Sequence, residues 1–300
     1  MGCFFSRRFI EAENGKMRFR IIDGRRFHDI SNSEYFVPND DEEADRLVGF
    51  HYAMKDIWGG LFYSPVEEKL RQGARVIDLG CGAGTWILDM AKQYPYSKFV
   101  GVDLSPIFPT EGLPSNVEFI EYNVLDRLPY EDSFFDFVHQ KIMLAAFTEA
   151  QWEENVIPEM TRLTRPDGWV EILEVAGYLV SDGNATNRIS EAFRNFYTSR
   201  GMNFDIWKEI PHLLENTNAF SEIRKETKAI VLGKKGGIPG QETLRYCTVG
   251  LRACRSFLSA DMDIMPEHYD SLVEVISIEA EKTTTYYNQY RYCAHKNISN

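Results

Sequence analysis

Three glycines and an aspartate near residue 80 have the types and spacing of a small-molecule binding site. The stretch DLGCGAG supplies Gly80, Gly82 and Gly84, and it begins with Asp78 at the end of an apolar run. Glycine permits a tight bend, the close approach of backbone to a ligand and close packing of the next helix. Dinucleotide sites use GxGxxG to hold a pyrophosphate, so GxGxG alone is a weak signal. A carboxylate at Asp78 repels a pyrophosphate and suits a ligand that carries an amino group.

Two further polar residues lie where the next two predicted strands end. Asp103 ends the run KFVGVD, where a carboxylate can accept hydrogen bonds from the two hydroxyls of a ribose. Asn123 lies near the end of VEFIEYNV with Val124 behind it, and its amide oxygen can accept from the amino group of adenine. Each residue alone has a structural explanation, as a cap or a turn residue. Together, their order and spacing favour S-adenosylmethionine over NAD as the ligand.

The pattern of elements around these residues predicts an α/β fold with a doubly wound, mostly parallel sheet of the Rossmann-like type. The predicted strands are ARVIDLG, KFVGVD, VEFIEYNV, FFDFVHQ and WVEILEVA, followed by SEIRKETKAIVLG and TTTYYNQYRYCAHK. The last strand follows a long helical excursion, so we expect it to add antiparallel at an edge. Helices are predicted over 84–94, over 148–164 with an interruption near Pro158, and over 185–216. The prolines of SPIFPTEGLPSN exclude a full helix between the second and third strands.

A further helix is predicted before the sheet, in NDDEEADRLVGFHYAMKDIWGG. Asn39 or Asp40 can cap it, acidic residues fill its first turn, and apolar residues recur at helical spacing. We expect this helix to pack over one edge of the sheet as a lid. Its Arg46, His51 and Trp58 are candidate contacts to ligand, although surface pairing and core packing are the simpler interpretations.

Several blocks of the sequence resemble a known family. VIDLGCGAG, VGVDLSPI, DSFFDFVH and RPDGWVEILE look like the successive motifs of class I S-adenosylmethionine-dependent methyltransferases. YFVPNDDEEADRL and the terminal YRYCAHK resemble in particular the fungal methyltransferase family that includes regulators of secondary metabolism. The similarity covers about residues 35–296 and implies a seven-stranded sheet whose last strand is antiparallel. Asn123 departs from the commonly acidic residue of the superfamily, and RPDGW replaces the usual Pro-Gly-Gly.

The resemblance implies a role for each matching residue. Asp78, Gly80, Gly82 and Gly84 would surround the methionyl part of the cofactor, Asp103 and Leu104 the ribose side, and Asn123 with Val124 the adenine. His139 and Gln140, after the fourth predicted strand, would lie near the reacting sulfonium. In domain terms, residues 1–34 are expected to form a loosely ordered arm and residues 35–300 a class I methyltransferase domain. Its parts are a helical lid at 35–73, a cofactor-binding half at 74–180 and a C-terminal half at 181–300.

Methyl transfer from a sulfonium is an in-line displacement, so alignment of donor and acceptor in a dry site can supply much of the catalysis. His139 is the candidate general base, because histidine titrates near neutral pH and strand carboxyl ends face the crevice. The alternative is a histidine that packs beside the cofactor without moving a proton. Glu171 and Glu174 are weaker candidates for the acceptor pocket. The sequence shows no carboxylate cluster for a magnesium-assisted reaction, so no metal is predicted.

The composition indicates which classes of binding partner and which cellular location to expect. A formal net charge of −12 disfavours nucleic acid, and five cysteines without a CxxC pair fit a reducing, cytoplasmic location. The sequence lacks an apolar run of spanning length and a secretory signal. MGCFFSRR matches the N-myristoylation pattern at Gly2, and Cys3 can carry a palmitoyl chain; two such signals give peripheral membrane attachment. A chance match in a tail is the alternative.

Two functions of different class remain open on sequence alone. The first is an enzyme that methylates a small molecule or a protein side chain. The second is a methyltransferase-like regulatory module that acts mainly by binding a partner. The complete set of cofactor residues favours the enzyme, because a purely structural descendant has no physical need for Asp78 and Asp103.

Overall fold

The apolar run before Asp78 forms a strand at the middle of a large sheet. The computed structural model describes residues 8–11, 18–29 and 35–298. Its strands are β1 (Arg8–Glu11), β2 (Arg18–Ile22), β3 (Arg25–His28), β4 (Arg75–Leu79), β5 (Lys98–Asp103), β6 (Val117–Glu121), β7 (Phe135–Lys141), β8 (Thr164–Val175), β9 (Phe220–Val231) and β10 (Tyr286–Lys296). Its α-helices are α1 (Asp41–Trp58), α2 (Glu67–Gln72), α3 (Thr85–Gln93), α4 (Glu149–Gln151), α5 (Ile157–Leu163), α6 (Asn184–Thr198), α7 (Ile206–Asn216), α8 (Gly237–Ala253), α9 (Arg255–Asp261) and α10 (Pro266–Lys282).

The large sheet has seven strands in the order β6-β5-β4-β7-β8-β10-β9. The first five run parallel, whereas β10 runs antiparallel to both β8 and β9. The predicted Rossmann-like, mostly parallel sheet with an antiparallel last strand is therefore confirmed. One detail differs from expectation, because β10 lies between β8 and β9 and β9 forms the edge.

Alternate residues of the central strands face two separate cores. In β4, Val76 packs with Phe99, Phe137 and helix α3 on one side, whereas Ile77 packs with the core on the other side. Val76 and Ile77 are both fully buried. A strand covered on both faces needs apolar residues at nearly every position, which is why the run lacks the alternation of a half-exposed strand.

The helices follow the predicted positions with two differences. The predicted helix 148–164 contains a π-helical turn at Trp152–Val156 directly before the turn that holds Pro158, which is where the interruption was expected. The predicted helix 185–216 is divided into α6 and α7 near Gly201, whose φ of 68° ends a helix readily. Among the strands, β8 begins at Thr164, so it includes the RPDG segment before the predicted strand WVEILEVA. Within the described ranges, no helix combines the length and the apolar character needed to cross a membrane.

Helix α1 begins and ends as its sequence predicts. The Asp40 side chain accepts a hydrogen bond from the Glu43 N–H at 3.1 Å, and Gly59 ends the helix in the left-handed conformation. Near its end, Trp58 Nε1 donates to Gln289 Oε1 of β10 at 2.6 Å. This bond fixes the end of α1 against the antiparallel part of the sheet.

The structure differs from the expected loose arm at residues 8–11 and 18–28, where β1, β2 and β3 form a small antiparallel sheet. Arg25 donates to both carboxylate oxygens of Asp40 at 2.6 and 2.7 Å, and the Asn39 N–H donates to the Arg26 carbonyl at 2.8 Å. These contacts attach the small sheet to the start of α1. Gly2 and Cys3, the predicted acylation sites, lie outside the described residues.

Candidate functional site

A cavity of about 220 Å³ lies at the carboxyl ends of β4, β5, β6 and β7. Its walls include residues 80–83, 103–105, 123–125 and 141–143, and the inner face of α1 closes one side. In an open α/β sheet, ligands bind outside the carboxyl ends of the strands where the strand order reverses, which is the position of this cavity. The four segments come together because parallel strands end at the same edge of the sheet.

The glycine turn after β4 forms the floor of this cavity. Gly80, Gly82 and Gly84 all have positive φ, at 75°, 54° and 73°. A Cβ on Gly84 would overlap the ring of Phe119 on β6, so this glycine permits the close packing of α3. Gly82 instead lines the cavity, with Leu47 of α1 as its near neighbour. The turn therefore permits the close packing of α3 and places Gly82 on the cavity wall, and the approach of a ligand to it stays a prediction.

Asp103 connects the end of β5 to the glycine turn. Its Oδ2 accepts from the Gly82 N–H and its Oδ1 from the Ser105 N–H, both at 2.7 Å. Burial raises the pKa of Asp103 to about 6, while these backbone donors act in the opposite direction. A carboxylate has about four acceptor positions, so Asp103 can still accept from a ligand hydroxyl.

The predicted adenine side of the cavity is formed after β5 and β6. Asn123 lines the wall, and its Oδ1 accepts from the Leu125 N–H at 3.0 Å. Val124 and Leu104 contribute apolar side chains to the same cavity. An amide oxygen next to apolar surface provides a place for a flat ring that carries an amino group.

Four of the predicted site residues do not line this cavity. Gly84 is the N-cap residue of α3, Asp78 and His139 are each 2% exposed, and Gln140 is 1% exposed. The structure places His139 and Gln140 inside β7, not after it as expected. Both polar atoms of the Gln140 side chain are buried without a hydrogen-bond partner among the described residues.

Asp78 and His139 contact one another. They are directly opposite in the β4–β7 register, and His139 Nδ1 lies 2.7 Å from Asp78 Oδ1. The His139 ring stacks on Trp86 of α3 with a centroid distance of 3.8 Å. The carboxylate expected to meet a ligand amino group therefore meets a histidine. The general-base role of His139 stays a prediction, and its ring faces a second, smaller cavity.

Glu171 and Glu174, considered for the acceptor pocket, bind backbone instead. Glu171 accepts hydrogen bonds from the Ser64 N–H and hydroxyl, both at 2.7 Å, and from the Tyr63 N–H. Glu174 accepts from the Met143 N–H at 2.6 Å, and burial raises its pKa to about 8. Neither glutamate lines the larger or the smaller cavity. Both carboxylates are instead acceptors for N–H groups of nearby loops.

Of the three residues singled out on the lid helix, two line the cavity and one is buried in the core. Arg46 lines the cavity while it donates to Glu43 at 2.7 and 2.5 Å, and His51 lines it one turn further on. Burial, followed by the positive charge of Lys141, lowers the pKa of His51 to about 3. Trp58 belongs to the core between α1 and β10.

Sequence reasoning missed two groups of residues that line the cavity. His28, from the segment expected to be loosely ordered, has its Nε2 2.6 Å from the Ser105 hydroxyl, and Asn39 lies beside both. Burial lowers the pKa of His28 to about 4, which keeps the ring neutral near pH 7. Lys141 ends β7, and its Nζ lies 3.1 Å from His51 Nδ1. The available signal for Lys141 was its position at the same strand end as the residues already selected.

A comparison with known protein families matches the central part of the chain. A family described as "Methyltransferase domain" matches residues 76–168, the segment from β4 into β8. Residues 76–168 are therefore similar to a methyltransferase domain. The match covers the glycine turn, Asp103 and Asn123, which agrees with the seven-stranded order of the sheet.

Two curated fungal proteins show the closer resemblance that the terminal blocks predicted. Methyltransferase pytC of Aspergillus terreus is 33% identical over 171 residues, which cover 55% of this chain and 49% of that protein. Secondary metabolism regulator laeA of Aspergillus flavus is 34% identical over 166 residues, which cover 53% of this chain and 42% of that protein. The chain thus aligns with about half the length of these relatives. The predicted resemblance to this methyltransferase family is confirmed.

Proposed function

We propose that the chain transfers a methyl group from S-adenosylmethionine to a small molecule or a protein side chain. The observation that carries this proposal is the convergence of the glycine turn, Asp103 and Asn123 on one cavity at three adjacent strand ends. The methyltransferase domain match over these same residues supports the choice of cofactor. The named activity of pytC, a methyltransferase, is consistent with it.

The residues present fit the cofactor. Asp103 has two oxygens that each accept one backbone N–H, and their remaining lone pairs suit the two ribose hydroxyls. Asn123 lies on the cavity wall beside Leu104 and Val124, and these two apolar side chains would flank the adenine ring. Gly80 and Gly82 leave room along the backbone for the methionyl part. When bound, S-adenosylmethionine supplies a methyl group on a sulfonium.

The chain's contribution to the reaction would be alignment and exclusion of water. Apolar side chains from α1 and from the loop after β7, including Leu47, Phe50 and Met143, cover the cavity. A dry, fixed arrangement brings donor and acceptor into line and avoids the cost of solvent reorganisation. His139 would take a proton only from an acceptor that reaches the smaller cavity, because His139 lines that cavity and not the larger one.

The first test is direct binding. Isothermal titration calorimetry with S-adenosylmethionine, S-adenosylhomocysteine and NAD is expected to give one-to-one binding of the first two and no heat with NAD. Transfer of a labelled methyl group into a cell extract then shows whether an acceptor exists. Binding of NAD without binding of S-adenosylmethionine would reject the proposal.

A regulatory module is the second candidate, and the relatives named as secondary metabolism regulators favour it. In this case the cofactor would bind while the main work would be recognition of a partner protein. Cofactor binding without any transferred label, together with a stable protein complex, supports this candidate. Transferred label that requires Asp103 supports the enzyme. No nucleic-acid partner is proposed for either candidate, given the net charge of −12.

For the N-terminus we propose myristoylation of Gly2 and palmitoylation of Cys3, on the sequence pattern alone. The protein would then be cytoplasmic with peripheral attachment to membranes, because two acyl chains hold a protein where one does not. Metabolic labelling with an alkynyl myristate is expected to mark the wild type but not Gly2→Ala. Cys3→Ser should keep the myristate and lose most of the membrane association. A wild type without label would show that acylation is absent.

A further inference from the structure

A second, smaller cavity of about 20 Å³ adjoins the cofactor cavity between α1 and the strands β7, β8 and β10. The two cavities share His51, Trp86 and Lys141. The smaller one shares none of the residues assigned above to ribose and adenine. Its volume is enough for the terminal atoms of a small polar group.

Cations line this cavity, and no carboxylate is part of its wall. The charged lining residues are Lys55, Lys141 and Arg291, and His51 and His139 complete the polar part. The remaining lining includes Met54, Leu61 and Leu173. A concave site with apolar walls and converging cations suits a small anion, because the low local dielectric strengthens the attraction.

Arg291 is a buried cation that forms an ion pair with Glu171, but its Nε makes no hydrogen bond among the described residues. The residue is 5% exposed. The guanidinium lies over the Trp58 ring at 4.3 Å, and Nε is 3.4 Å from Glu171 Oε1. Buried donors of an arginine are nearly always satisfied, since an unmade hydrogen bond there costs more than a net one contributes.

Lys141 brings a second cation with unused donors. Lys141 Nζ lies 3.1 Å from His51 Nδ1, and an ammonium group has three donors, so others remain for another acceptor. Burial lowers the pKa of Lys141 to about 8, which leaves the group mainly protonated near pH 7. Arginine and lysine donors that converge on one cavity are the usual recognition of a carboxylate.

The neighbouring carboxylates are already occupied. Glu171 accepts three bonds from the backbone and side chain of residues 63–64. Asp89 accepts from Lys55 at 2.6 Å and lies 3.3 Å from His51, and Asp78 is paired with His139. These carboxylates balance the charge of the region, and Glu171 Oε1 lies 3.4 Å from Arg291 Nε without making a hydrogen bond to it.

We propose that this smaller cavity binds a carboxylate carried by the methyl acceptor, so that the acceptor is an anionic compound whose carboxylate lies between Arg291 and Lys141. The inference rests on the proposed function, because it assigns the substrate class of the same site. The cofactor itself also carries a carboxylate, and this shared chemistry is separated by the choice of probes below. We assign the carboxylate to the acceptor because of the strand order. Arg291 on β10 and the proposed ribose and adenine residues after β5 and β6 lie on opposite sides of Lys141 on β7.

The experiment uses the full-length protein saturated with S-adenosylhomocysteine, with butyrate and its neutral isostere butyramide as probes. Binding is measured by ligand-observed NMR titration. Butyrate is expected to bind at least ~10-fold more tightly than butyramide, and Arg291→Met and Lys141→Met should each remove most of this difference. Arg224→Met is the matched control, because Arg224 is a half-exposed arginine on the neighbouring strand β9 and should leave binding unchanged.

Three outcomes would overturn the inference. Equal affinity for butyrate and butyramide in the wild type excludes an anion site. An unchanged preference for butyrate in both Arg291→Met and Lys141→Met excludes it as well. Weaker binding of S-adenosylmethionine but not of 5′-methylthioadenosine to Arg291→Met would show that the site holds the cofactor's own carboxylate. If Arg291→Met fails to fold, Lys141→Met carries the test. If the protein prefers butyrate over butyramide but does not bind S-adenosylmethionine, the proposed function is rejected while the anion site is retained.

Discussion

The Gly82 N–H donates a hydrogen bond of 2.7 Å to Asp103 Oδ2. This bond joins the turn after β4 to the end of β5, so the glycine backbone and the carboxylate form one rigid unit. Because the Ser105 N–H holds the other oxygen, the carboxylate has a fixed orientation toward the cavity. A ligand that approaches the glycine turn therefore meets an acceptor whose position is already set, which lowers the entropic cost of binding.

Asp103→Ala is expected to weaken the affinity for S-adenosylmethionine by about 10- to 100-fold, since hydrogen bonds to a charged group contribute about 1.5–3 kcal/mol. Asp103→Asn should lose less, because it keeps one acceptor oxygen. Calorimetry gives the affinities, and thermal unfolding checks that both variants fold. Asp126→Ala is the control, because Asp126 is exposed and does not line the cavity. Unchanged affinity in Asp103→Ala would contradict the ribose assignment.

The glycines with positive φ provide a graded test of strain against ligand approach. Gly59→Ala introduces only the left-handed strain of about 1–2 kcal/mol, because a Cβ there meets nothing within 4 Å. Gly84→Ala should lose more stability, because its Cβ also overlaps Phe119. Gly82→Ala should unfold about as easily as Gly59→Ala but bind the cofactor far more weakly, because its methyl group lies on the cavity side.

Urea unfolding and calorimetry on the three variants separate the two effects. Gly84→Ala should have a lower free energy of unfolding than Gly59→Ala. Gly59→Ala should bind S-adenosylmethionine with the affinity of the wild type. A Gly82→Ala variant that binds S-adenosylmethionine as the wild type does would show that the ligand does not approach the turn.

The strand ends were predictable from sequence, whereas the partners of the residues there were not. Apolar runs that stop at Asp78 and Asp103 locate the ends of buried strands by a local pattern. The contact of Asp78 with His139 depends on the register between β4 and β7, and 61 residues separate the two along the chain. Local periodicity carries no information about such a pairing.

Two further features depended on the same kind of long-range information. Arg291 reaches the smaller cavity because β10 lies between β8 and β9, whereas the sequence suggested an edge position. His28 reaches the larger cavity because Arg25 and Arg26 attach the N-terminal strands to the residues before α1. A short strand of mixed charge and apolar residues has no pattern that distinguishes it from a loose arm.

The contact between Asp78 and His139 is expected to stabilise the fold. In a double-mutant cycle with Asp78→Asn and His139→Gln, we expect a coupling energy of about 1–3 kcal/mol, because both side chains are buried. The matched control is the more exposed pair Lys69 and Asp167, whose coupling should stay below about 1 kcal/mol. Urea unfolding of each set measures the values. A buried pair that couples no more than the exposed pair would mean that His139 is not held by Asp78.

Glu174 should make stability depend on pH. Burial raises its pKa from 4.5 to about 8 in the folded protein, so the folded state binds a proton that the unfolded state has already released in this window. The contribution is fully present below about pH 4.5 and is lost as the pH rises toward 8, with a slope of at most about 1.4 kcal/mol per pH unit.

Glu174→Gln removes the titrating group while it keeps an oxygen for the Met143 N–H. The free energy of unfolding of wild type should therefore fall more steeply than that of Glu174→Gln between pH 5 and pH 8. Urea titrations at several pH values measure the free energy of unfolding of both proteins. Subtracting one curve from the other removes the contributions of the other titrating groups, which the two proteins share. Glu118→Gln, an exposed glutamate on β6, should follow the wild-type curve. Parallel curves for wild type and Glu174→Gln would show that Glu174 is ionised in the folded protein at the same pH as in the unfolded chain.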